Sequence, residues 1–342
     1  MQSSDDGGAG VSVDQNRLIA LLKRGIRAVN GRDLTALAAP DLPPGPLDLI
    51  AVGKAACAMA QGLLDIRART VRRALVVTRH GYATPLQTPH GVDVEVRTAG
   101  HPIPDAASLE AGEALLRFVT SGDPDTTLIF LLSGGASALV ERPLPGMTAS
   151  DLAQINRWLL ASGKPITEIN AVRRALSTLK GGRLAARLPY RRTFYWLLSD
   201  VVGDDPATIG SGLAAPDTTT FTDALNVLRR HGLMGAVRPT VVTHLELGEC
   251  GAHPDTPDPR SPRVAGLTLS VVASVRDAVE GARAQAEALG YEAIVLTSTL
   301  SGEARDAAAW LADQELPDGP TALIAGGETT VTVQGRGRGG RS

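Results

Sequence analysis

Five short segments carry side chains suited to handling an anion or a metal. Val52-Gly53-Lys54-Ala55-Ala56 sets a lysine directly after a glycine, where an apolar run ends and a small-residue helix begins. Glycine permits a sharp turn and the opening amides of a helix attract anions, so Lys54 there can neutralise a phosphate. A solvated lysine after a strand is the plain alternative. Leu132-Ser133-Gly134-Gly135-Ala136-Ser137 follows the most apolar run of the chain and precedes another helix. Its backbone N–H groups and the hydroxyls of Ser133 and Ser137 can wrap a phosphate or carboxylate. The competing explanation is a tight turn that needs glycine for positive φ.

Leu198-Ser199-Asp200 closes a further apolar run, and with Asp204 and Asp205 it places three carboxylates within six positions. Hard oxygen ligands suit Mg²⁺, which kinases use to bridge nucleotide phosphates. Asp200, at the strand end, is the leading candidate and Asp204 the second, while Asp204 and Asp205 also suit the capping of a turn. Asn170, Arg173 and Arg174, then Lys180 and Arg183, form a basic cluster about a helix end, where cations are favoured with or without a ligand. Lys180 is the phosphate-binding candidate in that cluster.

Gly326-Gly327-Glu328-Thr329-Thr330 lies between two expected strands, ahead of an arginine-glycine tail. In that tail Gly335, Gly337 and Gly340 satisfy GxGxxG, but no helix follows, so a dinucleotide fingerprint is not supported. The sequence contains no GxxxxGKS/T, HExxH or GxSxG. A kinase built on it is therefore not of the P-loop kind.

The elements that must position these segments alternate in type. Residues 13–30 place Leu18, Leu21, Leu22 and Ile26 at helical spacing. Strand-length apolar runs at 47–52, 74–78, 92–97, 127–132 and 193–199 alternate with helical patterns, including helices at 148–161 and 166–178. Such alternation predicts an α/β fold, a Rossmann-like three-layer domain with a mainly parallel sheet. In such a sheet, ligands gather outside the carboxyl ends of the strands.

From about residue 239 to 263 the composition shifts to Pro, His, Asp and Gly, and Pro254, Pro257, Pro259 and Pro262 forbid regular ladders. The sequence thus divides into a Rossmann-like domain at 1–240, a proline-rich linker at 241–265, and a second, smaller α/β domain at 266–342. The last would hold strands at 267–272, 292–297, 321–325 and 329–333, with helices at 274–289 and 302–313.

Two domains also suit 342 residues, more than one core usually supports. With 43% apolar and 20% charged residues the chain reads as a soluble globular protein. A formal charge of -2 gives no field to gather nucleic acid or an anionic membrane. Cys57 and Cys250 are too few for a disulfide framework or a cysteine zinc site, and they fit a reducing cytoplasm. The polar N-terminus lacks the pattern of a signal peptide, and no apolar run approaches the ~18 residues of a membrane span.

Taken in order, VGKAA (52–56), HPIPD (101–105), LLSGGASAL (131–139), INRWLLASGKPITEINAVRRALSTLKGGRLA (155–185), LLSDVVGDDPATIGSGLAAPD (197–217), LSGEARDAA (300–308) and GGETTVTVQGRGRGGR (326–341) resemble the glycerate 2-kinase family. Some of its members carry the label hydroxypyruvate reductase. The resemblance implies a Rossmann-like N-terminal domain and a smaller MOFRL-like α/β domain, with the active site in the cleft between them. It also implies Mg²⁺-dependent transfer of the γ-phosphoryl group of ATP to the 2-hydroxyl of D-glycerate.

Lys54 and Arg341 match the basic residues of the family's VGKAA and GGR motifs and would stabilise charge on the moving phosphoryl group. Built on that resemblance, Gly53 and the 133–137 loop would cradle phosphate or the substrate carboxylate, Asp200 would bind Mg²⁺ or act as base, and Glu328 would line the cleft. Ala136 stands where the family more often has a third glycine. The family also continues beyond GGR, so the second domain is expected to be incomplete here.

Two rival readings fit the same residues: an NAD(P)H-dependent hydroxypyruvate reductase, and an inactive truncated remnant that acts only as a binding protein. The expected partner is a small hydroxy acid, with no nucleic acid and no membrane; a homo-oligomer is compatible with the sequence.

Overall fold

The fold is described from a computed structural model covering residues 13–331, apart from 89–90, 162–165, 190, 214, 236, 259, 262–263 and 265–266. Strands whose residues point alternately to opposite faces must be apolar at every position if both faces are covered. Strand β1 (Leu47–Val52) and strand β4 (Thr127–Ser133) meet that condition almost completely, and they lie side by side at the centre of a sheet. Strands β2 (Val71–Arg79) and β3 (Asp93–Ala99) extend it on one side, β5 (Thr193–Leu198) and β6 (Thr268–Ala273) on the other. The order is β3-β2-β1-β4-β5-β6, and every neighbouring pair is parallel.

One face of this sheet presents Ile50, Val52, Leu75, Phe130, Leu132 and Tyr195 to a core shared with helix α4 (Ala106–Thr120). The other presents Leu49, Ala51, Val76, Ile129, Leu131 and Trp196 to a core shared with helix α3 (Ala56–Arg67). Helix α2 (Gly31–Ala38) packs on α3, where Gly62 lets the helices meet: a Cβ there would lie 2.1 Å from the carbonyl oxygen of Arg32. A short helix α5 (Ala136–Leu139) follows β4. Beyond it come α6 (Ala149–Ala161), α7 (Ile166–Ala175), α8 (Phe221–Arg230) and α9 (Pro239–Glu249), which build a separate apolar cluster from Ile155, Ile169, Val172, Leu225, Leu228 and Leu245.

The chain divides into two compact units, residues 31–273 and residues 1–30 joined by 274–342. In the smaller unit α1 (Val13–Ala28) packs on α10 (Val275–Ala288), and strands β7 (Glu292–Leu300) and β8 (Thr321–Gly327) pair in parallel, with α11 (Ala304–Ala312) between them in sequence. Gly25 and Gly281 make the helix contact close: a Cβ at 25 would stand 2.8 Å from the Ala278 carbonyl oxygen, and one at 281 would stand 2.7 Å from the Ala28 Cβ.

Three expectations are corrected. The strand expected at 267–272 in the C-terminal domain instead completes the large sheet by pairing with β5, which otherwise would present an open edge. The linker expected at 241–265 begins inside α9, because Pro239 sits in the first helical turn, where a proline lacks no needed N–H and its fixed φ suits the helix. The strand expected at 329–333 is reduced to a single bridge between Glu303 and Thr330, with 332–333 outside the described residues.

Candidate active site

A strand order of 3-2-1-4-5-6 reverses direction between β1 and β4, and the turns leaving those two strands diverge to make a crevice. The turn after β1 carries Gly53 and Lys54; the turn after β4 carries Gly134 and Gly135. They are stitched to one another. The Lys54 amide donates to the Gly134 carbonyl at 2.9 Å, and the Ala55 amide donates to Ser133 Oγ at 3.1 Å. Ser133 itself is buried, so its hydroxyl holds the two turns together.

Glycine's positive φ is used at Gly53 and Gly135, and at Gly134 its missing side chain leaves room for a neighbour. Gly53 has φ 135°, and a Cβ there would stand 2.1 Å from Ser133 Oγ. At Gly134 a Cβ would fall 1.9 Å from Asp200 Oδ2, so the Asp200 carboxylate lies directly over the turn. Gly135, at φ 90°, opens α5, and a Cβ on it would meet His101 Cδ2 at 3.0 Å, His101 Nε2 at 3.1 Å and Lys54 Cε at 3.2 Å. A lysine, a carboxylate and an imidazole therefore surround two residues of bare backbone.

Lys54 Nζ stands 3.4 Å from Asp200 Oδ2, with side chains 31% and 45% exposed. An ion pair this open contributes only about 0–1 kcal/mol. The lysine can thus exchange its carboxylate for another anion at little cost. Asp200 follows β5, whose end is tied to β6 by the Ser199 amide donating to the Ala273 carbonyl at 2.9 Å.

The other aspartates of that loop serve the turn. Asp205 accepts from the Ala207 amide at 3.1 Å and from the Thr208 hydroxyl at 2.8 Å. Asp204 occupies a left-handed position at φ 54°, its amide donating to the Val201 carbonyl. Among the described residues no group of three or more His, Cys, Asp or Glu is placed to hold a metal ion. Magnesium needs no such cage, since it commonly takes one or two carboxylates and completes its shell with phosphate oxygens and water. Asp200 beside an open turn fits that requirement.

Ser137 is engaged in a hydroxyl chain. It lies 2.7 Å from Ser211 Oγ, which donates to Asn170 Oδ1 at 2.8 Å. Because the Ser211 proton goes to Asn170, Ser137 is the donor to Ser211, and the chain ties α5 to α7. Ser137 thus acts as an anchor of the loop.

Lys180 lies elsewhere. Its side chain is 1% exposed and its ammonium is paired with the equally buried Glu141, which also accepts from Ser177 Oγ at 2.6 Å and from the Arg142 amide at 3.0 Å. Burial pushes the Lys180 ammonium below its ordinary range, and Glu141 opposes that shift. The expected phosphate-binding lysine is therefore a core residue. The basic cluster about α7 is internal in the same way: Arg174 pairs with buried Asp217 and donates to the Ala207 carbonyl at 2.7 Å, while Arg183 donates to the Arg174 carbonyl at 2.7 Å. Glu328 belongs to the smaller unit, exposed just after β8, with its amide donating to the Leu300 carbonyl at 3.0 Å. Arg341 lies outside the described residues.

Nothing local in the sequence marks His101, whose HPIPD segment begins one residue after β3. Asp105 shapes that turn: Oδ1 accepts from the amides of Gly100 at 3.1 Å and Ser108 at 3.0 Å, and Oδ2 meets His80 Nε2 at 2.8 Å. The reciprocal bond from the Asp105 amide to Ser108 Oγ completes a capping box on α4. Burial pushes the Asp105 carboxyl up, but the bonds from His80, Ser108 and Gly100 outweigh it and hold the group below the usual carboxylate range.

Strand order and turn chemistry define a doubly wound α/β protein with a cation, a carboxylate and bare backbone at its switch point. The family model described as "Domain of unknown function (DUF4147)" matches residues 18–246. The chain is 34% identical over 334 residues to D-glycerate 2-kinase of Thermotoga maritima, covering 95% of this chain and 76% of that protein. It is 36% identical over 301 residues to glycerate 2-kinase of Pyrococcus horikoshii, covering 86% of this chain and 66% of that one, just under two thirds of its length. The crystal structure of the Thermotoga maritima glycerate kinase superposes with a TM-score of 0.78 at 33% identity, over 95% of this chain and 77% of that one. The chain belongs to the glycerate 2-kinase family, within the group that this domain defines.

Proposed function

We propose that the chain is an ATP-dependent glycerate 2-kinase that transfers the γ-phosphoryl group of ATP to the 2-hydroxyl of D-glycerate. The observation that carries this reading is the convergence of Lys54 and Asp200 on the Gly134–Gly135 turn in a chain whose relatives bear that name. Phosphoryl transfer asks a protein mainly to position reactants and stabilise negative charge, and bare backbone beside a lysine supplies both.

Lys54 holds the oxygens of the moving group, while the glycine pair lets them approach the main chain. Asp200 is the carboxylate that would hold Mg²⁺, which when bound neutralises phosphate charge. Asp204, one turn further, stays a weaker candidate for that role. Arg341 and Glu328 enter on the strength of the family motif alone, Arg341 as a second cation for the phosphoryl group. The free thiols of Cys57 and Cys250 suit the cytoplasm as the compartment. Among the described residues no helix is long and apolar enough to cross a membrane.

A nicotinamide-dependent reductase would need a glycine-rich fingerprint at the first strand turn, and the turn after β1 reads Gly53-Lys54-Ala55-Ala56 instead. Phosphorus NMR of the purified chain with MgATP and D-glycerate tests the proposal. The expected product is 2-phosphoglycerate with stoichiometric ADP. Oxidation of NAD(P)H by hydroxypyruvate at enzyme-like turnover, without phosphorylation, would overturn it.

A further inference from the structure

We propose that His101 is a further catalytic residue of this site, the group that takes the proton of the acceptor hydroxyl; the inference rests on the kinase reading above. A Cβ at position 135 would lie within about 3.2 Å of both the Cδ2–Nε2 edge of His101 and the Cε of Lys54. An oxygen resting over Gly135 therefore lies against the imidazole edge and the last methylene of the Lys54 side chain, one bond from its ammonium. Asp200, by contrast, sits over Gly134 and is paired with the lysine.

The two turns thus separate two tasks. A carboxylate is a weak base near neutral pH, and one that would hold Mg²⁺ is weaker still, whereas neutral imidazole accepts a proton readily there. Among the described residues Lys54, from the turn after β1, comes to Gly135 beside His101, while Asp200 lies over the neighbouring Gly134 and Asp105, paired with His80, stands at the far end of the His101 turn. Asp105 bonds the amide of Gly100, so the residue before His101 is fixed to the start of α4. That anchoring sets the ring against Gly135.

In the step itself the acceptor O–H bond breaks as the new O–P bond forms, and the bond between the γ-phosphorus and the bridging oxygen breaks to release ADP. The proton passes to His101 Nε2 and then to solvent, which reaches this half-buried residue.

The test compares the unmodified chain with His101→Gln and His101→Gly, using ATP-dependent phosphorylation of D-glycerate and MgADP affinity by calorimetry. His101→Gln should lower kcat by about a hundred- to ten-thousand-fold, the usual range for loss of a general base. MgADP affinity should stay within roughly twofold, which also reports an intact site. Added imidazole should restore His101→Gly by roughly tenfold or more, the response of a missing proton acceptor. Retention of kcat in His101→Gln, or a loss that appears wholly as weaker nucleotide binding, would remove the histidine from the chemistry while leaving the kinase assignment in place. Absence of phosphorylation by the unmodified chain would overturn both together.

Discussion

Asp200 and Lys54 reach the same glycine turn from opposite sides, the one after β5 and the other after β1, with Oδ2 and Nζ 3.4 Å apart. Neither is enclosed, so the pair adds little to stability and the lysine is available to a ligand. Lys54→Ala should therefore lower kcat by about a hundred- to a thousand-fold, the cost of removing a charge-stabilising donor. Its folding free energy should change by less than about 1 kcal/mol. Steady-state kinetics and a urea melt on one preparation check both halves; a large stability loss with unchanged kcat would reverse the assignment.

Gly53 and Gly134 are adjacent in space and should respond differently to alanine. At Gly53 the new Cβ would meet Ser133 Oγ at 2.1 Å and the Ser133 carbonyl oxygen at 2.6 Å, on a backbone at φ 135°. β1 and β4 would have to part, so Gly53→Ala should destabilise by about 3 kcal/mol or more. At Gly134 the obstacle is the end of the Asp200 side chain, which can swing aside. Gly134→Ala should stay folded, lose activity and require more Mg²⁺ for half-maximal rate. Thermal melts and metal titrations distinguish the two.

Asp105 links a helix cap to the His101 turn, and Asp105→Ala should cost about 1 kcal/mol near neutral pH. The folded-state pKa lies below the unfolded one, so the ionised carboxylate contributes its stability fully above an unfolded value of about 3.9 and loses it as pH falls through the lower folded value. The difference between parent and variant should hold steady from neutral pH down to roughly pH 5 and shrink below about pH 4. Urea melts across that range measure it; a gap that widens on acidification would contradict the sign.

Glu141 and Lys180 form an enclosed pair, so Glu141→Gln strands an ammonium in the core and should destabilise by about 3–5 kcal/mol. Glu141→Leu combined with Lys180→Met removes both charges and should recover most of that loss. An active double variant would confirm that Lys180 has no part in binding phosphate. An inactive but well-folded one would return it to the site.

Much of this arrangement is legible in the sequence. The strand expected at 47–52 is β1 to the residue, and the most apolar run is β4, because a strand covered on both faces can use few polar residues. Lys54, Gly134 and Asp200 follow strands directly, where a parallel sheet places its ligands, and all three meet. What sequence does not carry is partnership across the fold. Lys180 reads as a cation because nothing local announces that Glu141, 39 residues earlier, is buried beside it. His101 reads as part of a turn because its neighbour Gly135 is set by the packing of β3, β2, β1 and β4 together. The strand at 268–273 joins β5 because a sheet edge stood open there, a fact no window of residues contains.

The contact between α1 and α10 imposes an order of assembly. The first helix leaves the ribosome long before its partner, by a delay on the order of tens of seconds at roughly 5–20 residues per second. Throughout that interval residues 31–273 can collapse around their own sheet, while the smaller unit lacks one of its two halves. The larger unit is in effect an insertion, and the smaller one closes last. Until residues 275–288 have been made, a nascent chain of this protein carries the amphipathic helix α1 without its packing partner, which makes that helix a natural client for a holding chaperone.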